Sequence, residues 1–424
     1  MIRKRGLAML AVTACACASP PPNTSSTPSH GASRFLYVWA GDKDEKDPDF
    51  VAVYDVRPSS KTYGQVLSTT PVGMSGSLPH HLEYVLPPSG QLLFANGHHH
   101  EAIMLFDVSD AEHPRLVRTL DATPGLRFPH DFARLPNGHV LIGFLRSDGP
   151  SPLKGDSLRP GGHGGLAEFE ADGRWIRSVS AADSTIAEPI RLYAFALLPE
   201  IDRLVTTSAP MMEDFSADVV QIWRLSDYKL LRTLRVPEAR LPDGTVLKGS
   251  NGLPFEPRVL PDKRSVFLNA YRCGFYHLTG LETANPALTA VYAIDTPPDN
   301  KGACGVPVVV GNYWIMTVGR ANSLVTLDIS DPAHPKEVAR LYADSIFRPH
   351  WLAKDPGSDR LIVGAENGGE ERMLLAHVDP ATGKLRWDTS LRGPDGLLGI
   401  SFKREQWPHG RTGEAFGHAA LFRP

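Results

Sequence analysis

Four histidines of this 424-residue chain stand at the start of short apolar runs and recur at long, regular intervals. They are His80 in Pro79-His80-His81, His130 in Pro129-His130-Asp131, His350 in Pro349-His350-Trp351 and His418 in Gly417-His418-Ala419. Imidazole ligates copper, zinc, iron and nickel, and it moves protons near neutral pH. Three further segments keep the rhythm with another residue at the marker position: Tyr193, Glu256 and Cys304. These add a phenol, a carboxylate and a thiol to the possible chemistry. No His-x-x-x-His or Cys-x-x-Cys pair is present. Any shared centre must therefore be assembled from distant segments.

The spacing says how. The seven openings lie 46 to 68 residues apart, and a period near 50 in a strand-rich chain is that of a β-propeller. In Pro79–Leu120 four strands read off directly: His80–Leu86, Gln91–Asn96, Ala102–Val108 and Leu116–Leu120, each bounded by Gly, Pro, Ser or Asp. The parse repeats over 129–180 (with a long insert from Arg146 to Gly162), 190–236, 256–294, 304–342 and 349–390. The corner Asp107-Val108-Ser109-Asp110 returns as Asp328-Ile329-Ser330-Asp331, which gives His113 and His334 a structural place in that turn. Phe35–Ala40, Phe50–Val56 and Gln65–Ser68 form a blade lacking its first strand, and His418–Phe422 is a first strand lacking a blade. Pairing them predicts an all-β, seven-bladed propeller over 34–424, closed by the C-terminal strand, with no free sheet edge.

In that fold the first strands line the central channel and enter from one face. His80, His130, Tyr193, Glu256, Cys304, His350 and His418 should ring one mouth, with the loops between second and third strands above it. Glu256 and Arg258 read as a buried ion pair or as an acid–base or ligand carboxylate. Cys304 and Cys273 come from neighbouring blades and form either a disulfide or a thiol pair at the site. His98-His99-His100 reads as an exposed polar loop rather than a metal trap. His163, in Gly161-Gly162-His163-Gly164-Gly165, belongs to a lid. His409 either caps the mouth or orders the terminal loop.

Composition narrows the partners. With 44 basic and 47 acidic side chains there is no basic stripe for nucleic acid, and no apolar run is long enough to span a bilayer. Met1–Arg5 is basic, Leu7–Ala14 is apolar, and Val12-Thr13-Ala14-Cys15 resembles a bacterial lipobox. Residues 1–18 thus read as a lipoprotein signal and anchor region with Cys15 lipidated, the alternative being a leader cleaved near Ala18. Residues 19–33, rich in Pro, Ser and Thr, read as a flexible tether. The expected place is the periplasmic side of a bacterial membrane, lipid-anchored or secreted, touching the bilayer only through the lipid.

Six stretches carry a family resemblance: Pro48–Val56, Tyr63-Gly64-Gln65-Val66, His80-His81, Gly164-Gly165-Leu166, Leu253-Pro254-Phe255-Glu256-Pro257-Arg258 and Leu327–Pro332. In this order, from about Phe35 to Phe422, the chain resembles the selenium-binding protein family, which includes methanethiol oxidases. The resemblance implies a seven-bladed propeller, copper held by histidines, and oxidation of small thiols by oxygen to aldehyde, sulfide and peroxide. The family's histidine positions fall on His80, His81, His130 and His418, and its glutamate on Glu256. Gly64 stands where the family carries its selenium cysteine, Ala133 replaces a further histidine, and His350 lies outside the family's pattern. The metal candidates are then His80, His81, His130, His350 and His418, and the catalytic candidates Glu256, Arg258 and Cys304. The first expectation is a copper-dependent oxidase of a small thiol, with no organic cofactor. The second is a non-catalytic binding or scaffold lipoprotein with a protein partner. A hydrolase or lyase would want more acidic ligands than Glu256 alone.

Overall fold

The computed structural model describes residues 31–120, 123–148, 162–210, 217–296, 302–344, 346–366 and 372–424. The anchor region 1–18 with Cys15, and the tether as far as residue 30, lie outside the described residues.

Seven antiparallel sheets follow one another around the ring. Blade I takes Ala415–Arg423 as its innermost strand, then Phe35–Asp42, Pro48–Asp55 and Val66–Ser75. Blades II to VII begin at Pro79–Leu82, Leu126–Arg134, Leu192–Leu198, Pro254–Val259, Cys304–Val310 and Pro349–Lys354, and each continues outward in chain order. Blade VII gains a fifth strand, Ile400–Ser401. Two single-turn 3-10 segments, Pro199–Ile201 and Gly319–Ala321, are the only helical elements among the described residues. Second and third strands are buried on both faces, so they read as apolar runs, as in FLYVWA and AIMLF. Fourth strands are half-buried to exposed.

Closure is as expected: Phe35 pairs with Arg423, Val38 with Ala420 and Trp39 with Ala419. A buried polar knot backs it. Asp355 accepts from the Ser33 amide at 3.0 Å and the Ser33 hydroxyl at 2.7 Å, while Arg360 donates to Asp355 at 2.6 Å and to Ser33 O at 2.7 Å. Ser33, expected at the end of a flexible tether, is therefore buried and fixed in the domain. Asp355→Ala leaves the buried Arg360 guanidinium uncompensated and should cost about 3–5 kcal/mol in a denaturant titration.

The repeated corner works as its residues suggest. Asp107 Oδ1 accepts the Ser109 amide and Asp328 Oδ1 the Ser330 amide, each at 2.9 Å, and His334 Nδ1 meets Asp331 at 2.8 Å.

Candidate metal centre

The site is built from one local irregularity repeated around the ring. Near the start of every inner strand the register slips: between Pro79 and Leu82, Pro129 and Phe132, Leu192 and Phe195, Pro254 and Pro257, Cys304 and Pro307, and Pro349 and Trp351. In the closing strand the residue passed over is His418. A bulge leaves a residue out of the ladder and re-aims its side chain. Here that delivers His80, His81, His130, Tyr193, Glu256, His350 and His418 to the channel.

The backbone groups released by the bulges need partners, and buried polar residues on the second strands supply them. Asn96 accepts the His81 amide at 2.6 Å and donates to Pro129 O at 2.7 Å in the next blade. Thr207 donates to Phe255 O at 2.6 Å, Asn269 to Cys304 O at 2.8 Å and Thr317 to His350 O at 2.8 Å. Each is the penultimate residue of its strand, and Asn96, Asn269 and Thr317 are polar groups that follow apolar ones. That was the signal available in the sequence, and the motif reading passed over it.

The bulges also correct the alignment of markers. Cys304 occupies the paired position before the bulge, equivalent to Pro79 and Pro129, so the counterpart of His80 in blade VI is Gly305. A Cβ there would come within 2.5 Å of His350 O and 3.2 Å of His350 Nδ1, so Gly305 makes room for that ring. Cys304 is joined to Cys273 in a disulfide and presents no free thiol, which removes it from the catalytic candidates. Glu256 likewise matches His81 rather than His80.

The tightest group is not the four strand-opening histidines but His80, His81 and His130, whose ligand atoms all lie within 4.8 Å of one another. His80 Nε2 and His130 Nε2 are 3.2 Å apart. Two nitrogens bonded at about 2.0 Å to one tetrahedral ion stand about 3.3 Å apart. His418 packs beside His80 at 4.1 Å between ring centroids, and His350 adjoins His418 at 5.2 Å on the far side. His98, expected in an exposed loop, is fully buried and stacks on His80 at 4.0 Å. His99 and His100 are exposed, as expected.

Tautomers are fixed from outside the cluster. His130 Nδ1–H donates to Tyr193 O at 2.7 Å and His418 Nδ1–H to His80 O at 2.8 Å, which leaves both Nε2 atoms basic. Neither ring nitrogen of His81 has a protein partner. Burial, then the crowd of neighbouring imidazoles, lowers His80 and His81 well below the usual imidazole range. Burial lowers His350 to about 4, and burial with the adjacent His350 lowers His418 to about 3. These rings are neutral at pH 7, as metal ligands must be.

Next to the imidazoles lies a second polar group, centred on Glu256 and Arg258. Glu256 pairs with Arg258 at 2.8 Å, and the Tyr84 hydroxyl donates to both Glu256 oxygens at 3.1 Å. Arg258 covers one face of Tyr84 at 4.7 Å. Trp351 stacks on Tyr84 at 5.3 Å and sets its edge against His81 at 5.1 Å. Asp131 is held by the Phe132 and Phe195 amides, and burial followed by the Glu256 charge pushes its carboxyl well up. Tyr84, Asp131 and Trp351 carry no motif of their own. His163 accepts the Ile190 amide at 3.2 Å. His409 binds Thr69 on the outermost strand of blade I and packs on Phe50, so it orders the terminal loop.

Fold and site together define a seven-bladed propeller with neutral imidazoles gathered in its channel. The LVIVD repeat family matches residues 303–342, one complete blade. The chain is 25% identical to a methanethiol oxidase of Hyphomicrobium sp. over 392 residues, covering 82% of this chain and 84% of that protein. It is 30% identical to the methanethiol oxidase of Ruegeria pomeroyi over 155 residues, about a third of either chain (34% and 32%). Among solved structures, a hypothetical selenium-binding protein from Sulfolobus tokodaii superposes with a TM-score of 0.71 at 15% identity, covering 92% of this chain and 94% of that one. A periplasmic gluconolactonase of Pseudomonas aeruginosa shares the fold with a TM-score of 0.61 at 15% identity, covering 92% and 99%. The chain is thus similar at low identity to methanethiol oxidases and shares its fold with a selenium-binding protein.

Proposed function

We propose that the cluster holds copper and that the protein oxidises a small thiol, methanethiol or a near analogue, on the exported side of a bacterial membrane. The observation that carries this reading is the convergence of His80, His81 and His130, buried and spaced as ligands of one ion. His81 has no protein partner at either ring nitrogen, and a cation on one of them would satisfy a lone pair that is otherwise buried at a desolvation cost. All-imidazole donors suit copper and disfavour calcium or magnesium. His418 and His350 stand next in line as ligands.

His80, His81 and His130 would hold the copper, which would supply redox chemistry between the thiol and dioxygen; the carbon bearing the sulfur gives up two electrons, dioxygen takes them, and thiol, oxygen and water give aldehyde, sulfide and peroxide in balance. The chain's own groups do the rest. Trp351 and Tyr193, both packed against the histidines, supply apolar walls for a small alkyl group. Tyr84 and Glu256 hold an exchangeable proton in a hydrogen bond beside the cluster, oriented by Arg258. The Cys273–Cys304 bond suits an oxidising compartment and so supports export. Cys15 would provide the lipid anchor.

The test is oxygen uptake. Full-length protein reconstituted with copper should consume oxygen and release peroxide when methanethiol is added, and the metal-free protein should not. Copper-loaded protein that shows no thiol-dependent uptake would reject the oxidase reading.

A further inference from the structure

An ion reaching a buried cluster needs a route from solvent, and one loop reaches from the cluster to the surface. His98-His99-His100 runs from the cluster to the surface within three residues. His98 lies against His80, while His99 and His100 are exposed. His99 Nδ1 is 3.3 Å from Gly76 O, and His100 Nε2 is 3.0 Å from Ser75 O. A carbonyl only accepts, so each ring places its N–H there. That leaves Nε2 of His99 and Nδ1 of His100 as bare lone pairs. The arrangement is the one His130 and His418 use inside the cluster, where a ring N–H on a carbonyl fixes the tautomer and makes the other nitrogen a ligand.

The loop is also held in place. The His98 amide donates to Leu78 O at 3.1 Å and the His99 amide to Ser77 O at 2.9 Å. The surface pair is thus clamped to the segment that leads directly into His80. As a sequence, the run resembles a plain polar loop. The burial of His98 and the fixed tautomers of its two neighbours change that reading.

We propose that His99 and His100 form a capture site that takes a first-row metal ion from solvent and passes it, by way of His98, to His80, His81 and His130. This rests on the copper reading above. Two exposed imidazoles completed by water hold an ion more weakly than three convergent buried ones, so transfer runs inward. The pair acts on the rate of loading and leaves the final occupancy to the buried group.

The experiment uses the metal-free full chain and copper(II) alone. Loading is followed by quenching of tryptophan fluorescence, since Trp351 touches His81, and final copper content by elemental analysis. In the double variant His99→Ala/His100→Ala, loading should slow by roughly tenfold or more, the scale on which local capture accelerates association. Final copper content should match the unaltered chain. His113→Ala, an exposed histidine far along the blade, should load at the normal rate. Equal rates for the double variant and the unaltered chain would overturn the capture site and leave the copper centre standing. A lower final content at an unchanged rate would also overturn it, because the pair would then be permanent ligands. An unaltered chain that takes up no copper would overturn both proposals.

Discussion

His130→Ala should lose stoichiometric copper, with affinity falling by more than about 100-fold, because even disturbing a ligand's supporting shell costs 10- to 100-fold. His130 is the ring whose Nε2 faces His80 Nε2 at 3.2 Å and whose other nitrogen is tied to Tyr193 O. Alanine removes a ligand and the contact that orients it, and the two remaining imidazoles cannot enclose an ion. His80→Ala should behave alike. His409→Ala should keep its copper, because that ring binds Thr69 on the outer strand of blade I. Elemental analysis of the three variants after copper reconstitution and desalting decides the matter. Full copper content in His130→Ala would remove the proposed centre. So would loss of copper in His409→Ala that matched the loss in His130→Ala, since the effect would then not be local.

How much of this was legible depends on which interactions speak through local sequence. Blade number, the closing strand and the Asp-x-Ser-Asp corner were readable, because turn residues and apolar runs are short-range features. The gathering of His80, His130, His350 and His418 on one channel followed from propeller geometry alone. What failed was register. A bulge shifts the residue that faces the channel by one, and nothing in Ala303-Cys304-Gly305 announces that the glycine rather than the cysteine takes the position of His80. The same slip hid the kinship of Glu256 with His81. His98 was misjudged for another reason. A polar triplet beside a turn reads as solvent-facing, and only the neighbouring blade, through Phe128 packed on its ring at 4.4 Å, decides that the first of the three points inward. Tyr84 and Trp351 stayed silent because aromatic residues in an inner strand look like core until their partners are known.

The metal-free protein should lose stability steeply on mild acidification. An unfolded imidazole titrates near pH 6.5, whereas in the fold His350 and His418 are lowered to about 4 and about 3, and His80 and His81 also lie well below the usual range. Between those folded values and pH 6.5 the unfolded chain binds more protons, so stability rises with pH across that window. It is complete above about pH 6.5 and falls on acidification by about 1.4 kcal/mol per pH unit for each such ring. Asp131 works the other way: its carboxyl is raised in the fold, so its contribution declines as pH rises through the acid range. Burial also raises Asp42, Asp49 and Glu83, but it lowers His163, His277 and His409 alongside the cluster, so among the described residues seven imidazoles stand against four carboxyls and the net slope keeps the sign of the histidines. Urea midpoints of metal-free protein from pH 7.5 down to pH 5 should therefore drop progressively. His350→Ala/His418→Ala should flatten the profile by about two rings' worth, close to 3 kcal/mol per pH unit. A midpoint that stays level from pH 7.5 to pH 5 would mean the imidazoles titrate freely in the fold, and neutral, water-excluded ligands would have to be abandoned. Loaded protein should hold its midpoint to a lower pH, because an ion bound only to the native state adds its binding free energy until protons displace it.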